Sequence, residues 1–185
     1  TFCAIPLWRG RFRSRTVESL VEEARGLEAR GVGELCLIAQ DTSSYGRDIY
    51  GKLRLVELLK ALSDAAGSAD VWFRVMYAFP RFLDEAMLDV LASDPKFCPY
   101  IDMPLQHISD RMLRRMGRRS NEAKTRALLE RMRARIPGLY LRTTFIVGFP
   151  GEDEADFGTL RDFVRDFGFE RLGVFPYSEE EGTPA

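Results

Sequence analysis

Five short apolar runs, separated by amphipathic helical stretches, constrain this chain more than any other feature of it. The runs are Glu34–Gln40, Val71–Tyr77, Tyr100–Pro104, Tyr140–Val147 and Arg171–Phe175. Helical periodicity covers Val17–Arg30, Leu53–Ala66, Leu83–Ala92, Asp110–Met116, Asn121–Arg135 and Glu154–Phe167. In the first of these, Leu20, Val21, Ala24 and Leu27 recur with the period of a helix, and Gly31 and Gly33 punctuate its end. Pro137-Gly138 closes a later one. Such alternation predicts an α/β fold, a parallel sheet with crossover helices. An open doubly wound sheet and a barrel both satisfy it. Polar or small residues gather where each strand should end: Gln40-Asp41-Thr42, Tyr77, Gln106-His107, Gly148 to Glu152, and Tyr177-Ser178. Parallel barrels carry their active sites on that edge, and contributions from every strand favour a full or partial barrel over a crevice at one switch point. Loops begin at strand ends in any case, which accounts for any one cluster more easily than for the set.

The 185 residues suit one domain with a sizeable core. Net charge is −1, so the whole molecule is no general attractor of nucleic acid. Charge is uneven locally, with arginines at 9, 11, 13 and 15, a second group from Arg111 to Arg119, and acids at Glu179, Glu180 and Glu181. No apolar run is long enough to span a bilayer and no signal peptide is visible. Cys3, Cys36 and Cys98 lie too far apart for a disulfide framework or a zinc spacing, which points to a reducing cytoplasm. The chain opens on Thr1-Phe2-Cys3 without an initiator methionine and ends on Gly182-Thr183-Pro184-Ala185. Both ends read as cuts through a longer protein.

Thr1-Phe2-Cys3-Ala4-Ile5-Pro6, followed by Arg9-Gly10 and Arg13-Ser14-Arg15, resembles the segment closing the C-x-x-x-C-x-x-C motif of the radical S-adenosylmethionine (SAM) methylthiotransferases. The resemblance implies that Cys3 is the third thiolate of a 4Fe–4S cluster whose open iron takes the amino and carboxylate groups of SAM. Soft sulfur suits iron and tolerates its redox change. The first two ligands then lie before residue 1, and the chain as given would not hold the cluster by itself. Cys36, in a predicted strand, and Cys98, in a Phe97-Cys98-Pro99 loop, read as structural.

Other segments fill out the implied cradle. Gln40, Asp41 and Thr42 form an acceptor-rich turn where the resemblance places the methionyl amine of SAM; a turn held by Asp and Ser side chains is the alternative. In Gly148-Phe149-Pro150-Gly151-Glu152 the glycines allow close approach and unusual dihedrals, and the acids suit the start of the next helix. The resemblance puts Ile146 and Gly148 beside the adenine. Gln106 and His107 are pocket-lining candidates; His107 is the one histidine, a residue type whose unperturbed charge change lies near neutrality. Phe2, Tyr77, Arg142, Glu152 and Tyr177 complete the cofactor-binding set that the resemblance implies. Arg9 to Arg15 resemble the family's R-G-x-x-R-S-R segment near the active-site mouth, whereas Arg111 to Arg119 read as a solvated helix face.

Three stretches narrow the resemblance to the branch that methylthiolates an aspartate of small ribosomal subunit protein number twelve. Ala39-Gln40-Asp41-Thr42 stands where tRNA-modifying relatives carry G-Q-N. Asp102-Met103-Pro104-Leu105-Gln106-His107 stands where they read L-P-V-Q-S-G, and Tyr177-Ser178-Glu179-Glu180-Glu181-Gly182-Thr183 where they read Y-S-P-R-P-G-T. An acidic stretch disfavours RNA phosphates. The implied architecture is a partial six-unit TIM-like (β/α) barrel without its first strand. Residues 1–185 are then a radical SAM core domain without the family's N-terminal methylthiotransferase domain and C-terminal TRAM domain. The implied cofactors are SAM and two 4Fe–4S clusters per intact protein. One reduced cluster cleaves SAM to a deoxyadenosyl radical, which takes hydrogen from the aspartate β-carbon, and the second delivers the methylthio group. The implied partners are the ribosomal protein and an electron donor, with no membrane, and the 185 residues alone are expected to be inactive. Two alternatives remain: the tRNA-modifying sibling, and a non-redox α/β barrel enzyme with Gly148–Glu152 as a phosphate site, against which the charge of Glu152 argues.

Overall fold

A computed structural model describes residues 2–68 and 70–185; Thr1, which opens the Thr1-Phe2-Cys3 segment, lies outside the described residues. The chain begins with two helices, α1 (Ile5–Arg9) and α2 (Val17–Glu28), and reaches strand β1 (Glu34–Leu37). A 3-10 turn (Thr42–Ser44) and helices α3 (Arg47–Tyr50) and α4 (Leu55–Ala65) lead to β2 (Trp72–Val75). A second 3-10 turn (Pro80–Phe82) and α5 (Glu85–Ser93) lead to β3 (Phe97–Asp102). Helices α6 (Asp110–Arg115) and α7 (Glu122–Arg135) precede β4 (Tyr140–Val147), and α8 (Glu154–Phe167) precedes β5 (Arg171–Pro176).

All five strands are parallel and lie in the order β1-β2-β3-β4-β5. A doubly wound sheet would reverse direction at a switch point, and this one never does, so the barrel-like alternative holds. Crossovers of one hand between successive parallel strands put the helices on one face. The burial pattern agrees. In β4, Leu141, Thr143 and Phe145 are buried while Tyr140, Arg142 and Thr144 are not. In β2, Phe73 and Val75 are buried while Trp72 is exposed. This period of two buries one face against helices and leaves the other as the inner wall of a partial barrel.

Sequence shapes the helix ends. Thr16, Asp84 and Asn121 accept hydrogen bonds from the amides of Ser19, Met87 and Lys124 and so cap α2, α5 and α7. Asp153 and Asp156 form a capping box at α8. Pro6 in the first turn of α1 needs no amide partner there. Helix α1 is not among the predicted helices, and α2 stops at Glu28 rather than Arg30.

Only β4 has both of its expected ends; β2 is shorter, Trp72–Val75 rather than Val71–Tyr77, β3 ends at Asp102 rather than Pro104, and β5 runs on to Pro176. Strand β1 ends at Leu37, so Ile38, Ala39 and Gln40 belong to the loop. Strand β3 starts at Phe97, which moves Cys98 from a loop into a buried strand position. Pro99 hides that start in the sequence. Lacking an N–H, it interrupts the ladder, and the register between β2 and β3 shifts there, from Phe73 opposite Phe97 to Val75 opposite Ile101.

The core lies between the sheet and the helices, with Leu59, Leu88, Leu129 and Phe163 fully buried. Phe145 of β4 has no exposed surface and meets Phe163 and Phe169 edge-on, with ring centroids at 6.2 and 5.9 Å. Phe145→Ala leaves a cavity that so close-packed a site cannot refill. We expect a loss of about 3–5 kcal/mol in unfolding free energy, read from urea melts.

Candidate functional site

The loops after the strands converge on one end of the sheet, and the N-terminal segment joins them there. Phe2 is half-buried and packs edge-on against Phe149, at 6.1 Å between ring centroids. Phe149 in turn meets Tyr177 at 5.3 Å. Met112, Met116, Ile146 and Ala185 complete this small apolar cluster, which is separate from the main core. The cluster thus ties together the segment carrying Cys3, the Gly148–Glu152 turn after β4 and the residue that follows β5. Cys3 itself is exposed.

Arg118 lies against the same cluster. Its guanidinium sits over the ring of Phe79 at 4.6 Å and over that of Phe2 at 5.7 Å. The Nε is buried without a hydrogen-bond partner. Burial pushes the Arg118 guanidinium down to about 10, against the attraction of Cys3 and Asp41. A desolvated cation beside a thiol and a carboxylate is positioned to meet an anion. The solvated-face reading of Arg111 to Arg119 is therefore corrected at this residue. The signal lies in Met116-Gly117-Arg118. Gly117 has φ 71° and the Arg118 amide donates back to the Leu113 carbonyl at 2.8 Å. This helix stop turns the following residue back onto its own helix.

Two other arginines of α6 hold the start of α8. Arg111 pairs with Asp153 at 2.5 Å and also with Asp156. Arg115 donates to the Pro150 carbonyl at 2.9 Å. Burial raises Asp156, but hydrogen bonds from Ser109 and Arg111 outweigh it and hold the carboxyl below its ordinary value of 3.8. A depressed carboxyl stabilises the fold above its unfolded pKa, and that stabilisation fades as pH falls through the folded one. Asp156→Asn should therefore cost about 1–3 kcal/mol at pH 7. The difference from the unmodified chain should shrink as melts are taken below pH 3.8.

The Gly148–Glu152 turn needs its glycines, since Gly148 and Gly151 have φ 71° and 84°. A Cβ at Gly151 would lie 2.9 Å from Arg115 Cζ, whereas one at Gly148 would meet nothing within 4 Å. Space for a ligand thus opens at Gly148. Glu152 points the other way. Its Oε2 accepts from the Phe149 amide at 3.0 Å and its Oε1 lies 3.4 Å from His107 Nε2. This inward carboxylate holds the turn, so its part in any cradle is positional. His107 has no exposed surface and Nδ1 accepts from the Ser109 amide at 3.0 Å, which leaves the proton on Nε2. Burial lowers its pKa against the pull of Glu152. His107 is a neutral peg between two loops and lines no open pocket.

The remaining predicted residues divide. Gln40 is exposed. Asp41 accepts from the hydroxyls of Ser43 and Ser44, both at 2.5 Å, which is the turn arrangement, yet it also faces the charge of Arg118. Thr42 is buried and donates to the Met76 carbonyl at 2.6 Å, stapling the β1 loop to the end of β2. Tyr77 and Gln106 follow β2 and β3 with φ 55° and 73°, the two non-glycine residues in the left-handed region among the described residues. Strain of this kind concentrates where a ligand site fixes the backbone. Arg142 reaches Asp102 Oδ2 at 2.6 Å on the inner wall, leaving the buried Oδ1 without a partner.

Arg118 Nε, Tyr177 Oη and Asp102 Oδ1 are the buried side-chain polar atoms without partners among the described residues. Such atoms are costly unless a ligand meets them. Together with the space at Gly148, they fit a ligand carrying a carboxylate, hydroxyls and a flat ring, and SAM has all three. Cys3 offers one thiolate. Among the described residues no three His, Cys, Asp or Glu side chains group to hold a metal. Cys36 and Cys98 are no substitutes. They lie on β1 and β3, with both thiols raised by burial. No helix among the described residues is long and apolar enough to cross a membrane.

The family model of the radical SAM superfamily matches residues 1–164. Among curated proteins, the chain is 50% identical over 185 residues to "Ribosomal protein uS12 methylthiotransferase RimO" of Acetivibrio thermocellus, covering 100% of this chain and 40% of that protein. The like-named protein of Flavobacterium psychrophilum is 51% identical over 185 residues, with 42% of its length covered. The chain thus spans about 40% of the length of these relatives. Among solved structures, the radical SAM methyltransferase TsrM of Kitasatospora setae superposes with a TM-score of 0.69 at 19% identity, over 88% of this chain and 31% of its own. The coproporphyrinogen III oxidase HemN of Escherichia coli superposes with a TM-score of 0.63 at 19% identity, over 91% of this chain and 39% of its own. At that identity the two share the fold.

Proposed function

This chain belongs to the radical SAM superfamily, and we propose that it is the catalytic domain of a methylthiotransferase acting on an aspartate of ribosomal protein uS12. The observation that carries the reading is the joining of Cys3, through Phe2, to the Gly148 turn, Tyr177 and Arg118 at the carboxyl end of a parallel sheet. That edge is where barrels of this kind act. The agreement in name among relatives about 50% identical over the whole chain supports the reaction class.

Cys3 is one cluster ligand, and the other thiolates come from a part of the full-length protein outside these 185 residues. The count of two clusters per protein, the flanking methylthiotransferase and TRAM domains, the electron donor and a cytoplasmic setting belong to the same proposal. When bound, a reduced 4Fe–4S cluster supplies the electron that cleaves SAM. The chain's own residues do the positioning. Arg118 takes the SAM carboxylate, Asp41 and Gln40 the amine, and Gly148 with Ile146 gives the adenine its place. Tyr177 Oη and Asp102 Oδ1, now unpartnered, hydrogen-bond the ligand. Phe2, Phe149, Met112 and Met116 exclude water from that end of the site. Glu179, Glu180 and Glu181 are exposed beside Tyr177 and repel RNA phosphates, which favours a protein substrate.

Full-length protein reconstituted anaerobically with iron and sulfide should show iron–sulfur absorbance. On reduction with dithionite it should convert SAM to methionine and 5′-deoxyadenosine. Absence of both signals would overturn the reading and favour a non-redox barrel enzyme.

A further inference from the structure

A cavity of about 390 Å³ opens on the outer flank of the same sheet end, between the turn after β2, the loop after β3 and helices α6 and α7. Its size lies within the roughly 300–1,000 Å³ typical of small-molecule sites. Buried Leu83, Leu105, Leu113 and Leu128 line it, and Phe79 and Pro104 add apolar wall.

The polar lining is of one sign. Arg118, Arg119, Lys124 and Arg131 line the cavity, and no Asp or Glu does. Arg131 is neutralised by Glu85 at 3.1 Å. Arg118, Arg119 and Lys124 form no ion pair among the described residues. The other arginines of α7, by contrast, are paired, as Arg126, Arg133 and Arg135 are. Arg119 and Lys124, two uncompensated cations beside an apolar floor, raise a positive potential that favours an outside anion. Ser120 and Thr125, bonded to each other at 2.9 Å, add hydroxyls to the same wall.

We propose that this cavity is a second ligand site, taking an organic anion with a carboxylate or phosphate head on Arg119 and Lys124 and an apolar body on the leucine floor. Arg118 borders both this cavity and the SAM cradle proposed above, but Cys3, Gly148 and Tyr177 do not line the cavity, and the inference, resting on Arg119 and Lys124, stands whether or not the radical chemistry is correct.

Isothermal titration of the protein with 4-phenylbutyrate and phenyl phosphate, set against acetate and inorganic phosphate, tests it. Each aromatic anion should bind at least about tenfold tighter than its bare head group, as burial of an apolar ring predicts. Whichever of the two binds tighter identifies the head group. The double variant Arg119→Gln, Lys124→Gln should weaken that binding by about tenfold or more. Both side chains are exposed, so the variant should melt at the unmodified temperature. Aromatic anions that bind no tighter than their head groups would overturn the proposal. So would affinity that survives the double substitution, or no binding at millimolar concentration.

Discussion

In the full-length protein reconstituted with iron and sulfide, Cys3→Ala should abolish the proposed reductive cleavage of SAM while leaving the fold about as stable as before. The thiol is free and exposed, so its removal disturbs little packing. Exposed substitutions of this kind change stability by less than about 0.5 kcal/mol. The chemistry, by contrast, depends on the bound cluster, and a cluster short of one thiolate loses its defined geometry. Deoxyadenosine release, followed by chromatography, should fall to background while the melting temperature stays put. Release at the unmodified rate would remove Cys3 from the ligand set and, with it, the reason for placing the chemistry at this end of the sheet.

Arg118→Gln should weaken SAM binding by about 10- to 100-fold, the worth of one charge-assisted hydrogen bond in a desolvated site. Its effect on stability separates two roles. A guanidinium that serves only the fold would be missed on replacement, and the melting temperature would drop. Arg118 instead carries a buried Nε without a partner and a pKa pushed down by burial. Neutralising such a cation removes a desolvation cost, so the variant should be as stable as the unmodified chain or more so. Calorimetric titration with SAM beside a thermal melt measures both. A destabilised variant that binds SAM normally would make Arg118 a structural residue.

The strands and most helices are legible in the sequence because apolar period is a local signal. Val17 to Glu28 and Tyr140 to Val147 each show in a single window what they bury. The choice between barrel and doubly wound sheet is not local. It depends on which strands pair, and five parallel neighbours in chain order become visible in the paired sheet alone. Pro99 conceals the start of β3 because a ladder irregularity absorbs a residue that usually ends strands.

The site is legible in its backbone and less so in its side chains. Gly148 and Gly151 announce a turn that no other residue type adopts readily, and the turn is there. Glu152 and His107 carry chemistry in principle, yet each is consumed by a hydrogen bond formed across 45 residues of sequence. Thr42 is likewise taken up by the Met76 carbonyl. Arg118 goes the opposite way. Its neighbours in sequence suggest a solvated face, and the turn at Gly117 buries it between Phe2 and Phe79. Polar residues near strand ends identify where a site is; tertiary hydrogen bonds decide which of them remain free for a ligand.

A protein rather than RNA is the proposed substrate of this domain. The full-length enzyme, reconstituted and reduced under anaerobic conditions, should be given SAM, ribosomal protein uS12 and unmodified tRNA in one reaction. Mass spectrometry of both macromolecules then reads the outcome directly. A methylthio group on one aspartate of the ribosomal protein and none on the tRNA is the expected result. Methylthiolated tRNA beside an unmodified ribosomal protein would contradict it.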